Sequence, residues 1–200
     1  MLKITITAKE ITEHSSNDIK NAFTAINNEA FPENERCPLD KFFEFKNLGL
    51  DVDILGFFPS EESEDLLGFF ITMKNETCAY AWFFAIREDL RNKGLGSEAL
   101  KLIFERYKDY QMVLDFEAID ETAENNGQRI RRKNFYLRNG WYETGYFQYY
   151  CQTEFEIVCS QPMLDTNSYD KLKLSYEKLV EVIFKVVPMF HPKLYRKDNP

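Results

Sequence analysis

The sequence predicts a mixed α+β fold: a central, mostly antiparallel sheet of about seven strands flanked by helices, with an extra C-terminal helix. Three observations predict it. Three strand-like runs follow one another in the middle of the chain, joined by separators short enough for hairpins. Segments of helical periodicity stand on both sides of them. The composition is that of a folded protein, 44% hydrophobic with 18 Phe and 11 Tyr in 200 residues.

The elements follow in order. LKITIT alternates apolar and polar residues and reads as a first strand. SSNDIKNAFTAINNEAF reads as a helix, with Ser15, Ser16 or Asn17 as cap and Ile19, Phe23 and Ile26 on one face. Pro32 and Pro38 punctuate a loop before a short helix, LDKFFEFKNLG. The strand runs are DVDILGFFP, DLLGFFITMK and TCAYAWFFAI, and the last is the most continuously apolar, which places it at the sheet centre. SEALKLIFERYKDY repeats Leu100, Ile103, Phe104 and Tyr107 at helical spacing. QMVLDFEAI is a fifth strand, and QRIRRKNFYLRNG is a helix that Gly140 terminates. WYETGYFQYYC and TEFEIVCSQ form a closing pair of strands. YDKLKLSYEKLVEVIFKVV is the final helix, ended by Pro188.

The expected organisation is one domain over residues 1–162 with a helical extension, 163–200, packed on it. The extension holds seven Lys and Arg against five Asp and Glu, so it carries +2 while the rest carries −10. The net charge of −8 speaks against nucleic acid and anionic membranes as partners and favours cationic ones, such as amines. No run approaches the roughly 20 apolar residues of a membrane helix, and no signal-peptide core opens the chain, so a cytoplasmic protein is expected. Four cysteines without a CxxC pair and two isolated histidines, His14 and His191, give no metal-ligand pattern. Cys151 and Cys159 read as small core residues.

The stretch REDLRNKGLGSEAL carries the chemistry. Gly94 and Gly96 precede an amphipathic helix, where unshielded N–H groups and the positive end of the helix dipole favour a phosphate or pyrophosphate. Arg91 and Lys93 add charge at the rim. A Walker loop needs Lys-Ser or Lys-Thr after the second glycine, which is absent. A dinucleotide fingerprint belongs in an early βαβ unit, whereas this loop follows three consecutive strands.

Arg91-Asn92-Lys93-Gly94-Leu95-Gly96 resembles the [RQ]-x-x-G-x-[GA] signature of the GNAT superfamily of N-acetyltransferases. FYLRNGW, Phe135 to Trp141, resembles the helix-to-strand pattern of the same family. The resemblance spans about Asp51 to Tyr150. It implies acetyl-CoA as acyl donor, with its pyrophosphate on the backbone N–H groups of Asn92, Lys93, Gly94, Leu95, Gly96 and Ser97. It further implies a pantetheine arm held by backbone groups of Ala85 and Ile86, where the fourth and fifth strands splay. Tyr136 matches the family tyrosine near the CoA sulfur, and a phenol titrating near about 10 is protonated at pH 7 and can serve as the acid.

The base is not given by the resemblance. Many similar sequences carry a glutamate on the fourth strand, but Tyr80-Ala81-Trp82-Phe83-Phe84 holds no acid. Asp115 and Glu117 share a face of the fifth strand, and Glu117, nearer its C-terminal end, is the candidate. Arg129 stands where many relatives have an asparagine that touches CoA. The cluster Arg129, Arg131, Arg132 and Lys133 suits either the adenosine-side phosphates of CoA or a solvated helix face balancing the acidic DETAE loop. The expected activity is transfer of acetyl from acetyl-CoA to a primary amine, on a small molecule or a peptide, by direct attack in a ternary complex. The alternative is a CoA-binding module of the same fold without transfer. Leu172, Tyr176, Leu179 and Ile183 recur at helical spacing, which suits burial on the domain or a homodimer contact.

Overall fold

The computed structural model describes residues 5–150, 152–184 and 193–197. Eight strands, five α-helices and two short 3-10 helices are assigned among them. The sheet order is β1-β2-β3-β4-β5-β7-β6-β8, so the apolar run TCAYAWFFAI lies in the sheet interior as its sequence predicts. The chain divides into two compact units, Met1–Lys74 with Ala81–Lys108, and Asn75–Tyr80 with Asp109–Pro200.

In the first unit, β1 (Thr7–Glu10) pairs antiparallel with β2 (Val52–Phe58), from Thr7 opposite Phe58 to Glu10 opposite Leu55. The described strand begins at Thr7, the last residue of LKITIT, and residues 2–4 of that run lie outside the described residues. Alternation shows which residues suit a strand, but the partner decides which of them pair. Helix α1 (Asn17–Ala30) is capped by Ser16, whose hydroxyl accepts from the Ile19 N–H at 3.3 Å, and it buries Ile19, Phe23 and Ile26. Helix α2 (Leu39–Asn47) follows Pro38 and buries Leu39, Phe42, Phe43 and Phe45. Its end closes at Gly49, whose φ of +85° is left-handed, with the Leu50 N–H returning to the Phe45 carbonyl.

Every residue of β2 is buried, and it pairs antiparallel with β3 (Gly68–Lys74). Phe23 stacks on Phe69 with ring centroids 4.2 Å apart, which fixes α1 on this part of the sheet. Residues Ala81–Ile86 of β4 (Cys78–Ile86) belong to this unit. Helix α3 (Leu95–Arg106) begins two residues before the expected Ser97 and takes Gly96 into its first turn. Beneath it, Asp53 is buried yet served: Tyr107 Oη donates at 2.7 Å and Lys74 Nζ at 3.0 Å.

In the second unit, β5 (Gln111–Glu117) pairs with β4 in parallel over Cys78–Tyr80 and Gln111–Val113, and antiparallel with β7 (Thr153–Cys159). Strand β6 (Tyr142–Tyr150) pairs with β7, with a register shift between Glu143 and Phe147 that contains Gly145 at φ +72°. A two-residue β8 (Tyr195–Arg196) on β6 has no counterpart in the sequence reading, being too short to carry a pattern. Helix α4 (Asn126–Arg138) ends as predicted at Gly140, φ +92°, with the Trp141 N–H on the Tyr136 carbonyl.

Helix α5 (Thr166–Phe184) is tied to this unit at its start. The Gln111 side chain exchanges hydrogen bonds with the Asp165 backbone at 2.6 and 3.1 Å, and the Thr77 and Ser168 hydroxyls meet at 2.6 Å. Tyr169, Leu172 and Tyr176 are buried. The side chains of Leu179 and Ile183, together with Cys151 and His191, lie outside the described residues. Cys37, Cys78 and Cys159 are free thiols in buried positions.

Candidate active site

The loop before α3 is built by two left-handed residues. Asn92 has φ +62° and Gly94 has φ +89°, and this alternation turns successive N–H groups to one side. Among the described residues, the N–H groups of Asn92, Lys93, Gly94, Leu95 and Gly96 have no hydrogen-bond partner. The Ser97 N–H differs from expectation: it donates to the Gly94 carbonyl at 3.1 Å, because the first turn of α3 closes there. Five adjacent donors and a helix start are the groups an anion would need, without any side chain. Arg91 is anchored from inside, its Nε donating to the Ile86 carbonyl at 2.9 Å. Arg87 is committed to Asp65 and Asp89.

Ala85 and Ile86 are buried, and their backbone runs hard against Gly68. A Cβ at Gly68 would stand 2.4 Å from the Ala85 carbonyl oxygen. Only glycine allows β3 so close to this stretch of β4.

In the second unit Tyr136 lies on α4 with its ring parallel to Phe116, centroids 5.7 Å apart and planes 3° off. Trp141 meets it edge-on at 6.0 Å. Among the described residues its hydroxyl has no hydrogen-bond partner. Burial pushes the phenol up to about 12, Arg132 opposing and Asp115 adding to the shift. It is therefore a protonated donor throughout the neutral range.

Glu117 is held by cations. Arg129 Nη2 reaches Oε1 at 2.9 Å and Arg132 Nη1 reaches Oε2 at 3.2 Å, with Asn125 Nδ2 at 3.3 Å from each oxygen. Arg129 also donates to the Ala118 carbonyl at 2.9 Å and to Asn125 at 2.8 Å. The residue that replaces the family asparagine thus pins the start of α4 to the end of β5. Lys133 is bound to Glu143 and, at 2.8 Å, to buried Glu156; burial works against its charge, but these two carboxylates outweigh it and hold the ammonium above its usual range. Three of the four basic residues in this cluster are spent within the unit, on Glu117, Glu143 and Glu156 and not on the DETAE loop.

Asp115 has a different setting. Tyr80 Oη donates to its Oδ1 at 2.6 Å, and Gln148 Nε2 donates to its Oδ2. No sequence signal joins these three residues, which come from three strands. Among the described residues no group of three or more His, Cys, Asp or Glu is placed to hold a metal, and no helix is long and apolar enough to cross a membrane.

The model of the acetyltransferase (GNAT) family matches residues 20–141, more than half of the chain. No curated protein sequence matches. A protein from Bacteroides thetaiotaomicron assigned to the GNAT acetyltransferases shares the fold with a TM-score of 0.62 and 22% identity, over 90% of this chain and 99% of its own. The ribosomal-protein-S18-alanine N-acetyltransferase of Escherichia coli aligns with a TM-score of 0.53 and 18% identity, over 80% and 96%. A GNAT acetyltransferase of Elizabethkingia anophelis with acetyl-CoA bound gives 0.53 and 14%, over 80% and 99%.

Proposed function

The chain belongs to the GNAT family of acetyltransferases, and from that premise we propose that it transfers acetyl from acetyl-CoA to a primary amine by direct attack in a ternary complex. The observation that carries the donor assignment is the run of five unpartnered N–H groups from Asn92 to Gly96. A pyrophosphate fits such a run, and Arg91 and Lys93 supply the surrounding positive charge. Ala85 and Ile86 hold the pantetheine arm in this reading.

Acetyl-CoA supplies an activated thioester. Tyr136 gives its proton to the departing thiolate, a role suited to a phenol whose hydroxyl is not already committed. Glu117, with both oxygens on guanidinium groups, serves chiefly to set the Asn125–Arg132 turn of α4 beneath that tyrosine. No enzyme nucleophile is needed, and Cys37 and Cys78 are poor candidates for one: burial pushes each thiol up to about 12.

A CoA-binding module without transfer is the second reading, favoured by the absence of an acid from β4. Thiol release from acetyl-CoA across a panel of primary amines separates the two. Release with any amine supports the transferase, and calorimetric CoA binding without release on any amine supports the module. Absence of CoA binding removes both.

A further inference from the structure

We propose that Asp115, positioned by Gln148 and Tyr80, is the group that binds the acceptor ammonium and takes its proton, and that Tyr169 of α5 walls this site. The inference rests on the transferase reading and names its base. Gln148 is 3% exposed, and its amide is oriented by Asp115, since the reverse orientation would set a carbonyl against a carboxylate. Its Oε1 is therefore the amide atom turned away from Asp115; it is buried, and among the described residues it has no hydrogen-bond partner. A buried acceptor left unpaired is destabilising unless a ligand N–H satisfies it. Next to it stands a carboxylate that is only partly buried. One lone-pair acceptor beside one anion is the recognition pattern for a primary ammonium, which offers three N–H donors and a positive charge.

The surroundings agree. Asp115 and Phe116, on which Tyr136 stacks, are adjacent in β5 and project to opposite faces, and Asp115 is near enough to Tyr136 for its charge to push the phenol up. Tyr80 meets Tyr169 with ring centroids 6.0 Å apart, and Tyr169 is 2% exposed. The C-terminal helix thereby closes one side of the Asp115 site and limits which amines enter.

The step balances as follows. Asp115 takes one proton from R–NH3+ and passes it to water. The freed nitrogen forms the C–N bond to the acetyl carbonyl carbon as the C–S bond breaks. Asp115 takes the second nitrogen proton and returns it to water, Tyr136 protonates the thiolate, and Tyr136 is reprotonated from water. The sum is one amide, one thiol and one released proton.

Two measurements test this. Protein labelled with carbon-13 at the aspartate carboxyls is titrated with n-butylammonium, and the Asp115 signal is identified by its loss in Asp115→Asn. That signal should move in the wild type, and Gln148→Leu should require about ten times more amine. Thiol release with spermidine, tyramine and an alanine-initiated peptide is measured alongside. Asp115→Asn should lower kcat about 100-fold or more on any amine the wild type acetylates, at unchanged calorimetric affinity for acetyl-CoA. Gln148→Leu should raise KM more than it lowers kcat. A still Asp115 signal in the wild type, or wild-type turnover in Asp115→Asn, overturns the proposal. Loss of acetyl-CoA binding in the wild type overturns the transferase reading instead, and the carbon-13 titration judges Asp115 in either case.

Discussion

Gly94 offers the sharpest test of the anion loop, because steric and electrostatic effects separate there. Its φ of +89° penalises any L side chain, yet a Cβ placed on it meets no atom within 4 Å. Gly94→Ala therefore costs strain alone, roughly 1–2 kcal/mol. Gly94→Glu carries the same strain and adds one negative charge at the anion site. At about 6 Å and an effective dielectric near 60, that charge repels each phosphate charge by about 0.9 kcal/mol. A pyrophosphate with two charges then loses about 2 kcal/mol, or roughly 30-fold in Kd, beyond the effect of alanine. The assay is calorimetric titration with CoA of the wild type, the alanine variant and the glutamate variant. Repetition in about 1 M salt, where the Debye length falls to about 3 Å, should bring the two variants together. Equal CoA affinity of Gly94→Ala and Gly94→Glu at low salt would refute the assignment of this loop to the pyrophosphate.

Other expectations follow from single contacts. Tyr136→Phe should lower turnover about 10- to 100-fold with CoA affinity intact, as steady-state kinetics and calorimetry together can show. Burial raises the Tyr136 phenol to about 12, so the folded state binds this proton more tightly than the unfolded one. Its contribution to stability is complete below about pH 10 and is lost as pH rises towards 12, so urea midpoints should fall less steeply over that window in Tyr136→Phe. Gly68→Ala forces a methyl to within 2.4 Å of the Ala85 carbonyl and should cost about 1–3 kcal/mol in urea unfolding. Tyr107→Phe removes the 2.7 Å donor to buried Asp53 and should cost about 1–3 kcal/mol by the same measurement; an unchanged midpoint would mean that water replaces the phenol.

The residues legible from the sequence are those whose role is local. The glycine spacing of the loop, the serine cap of α1, the Asn139-Gly140 stop of α4 and the apolar run of β4 each act through their own backbone or their immediate neighbours. Local rules reach that far because dihedral preference and periodicity are properties of short segments. They reach less well to the roles of β5. Asp115 and Glu117 are two residues apart and look equivalent, yet one faces Tyr80 and Gln148 while the other is clasped by Arg129 and Arg132.

The sequence by itself determined the fold class, the family signature and the loop that can hold an anion. Tertiary structure decided what each charge is for. Arg129, Arg132 and Lys133 read as a basic patch, but their partners Glu117, Glu143 and Glu156 come from β5, β6 and β7. Which carboxylate a guanidinium reaches depends on strand order and register, set by the pairing of β5 with β7 and of β7 with β6. Electrostatic energy falls with distance in space, and distance along the chain does not fix it.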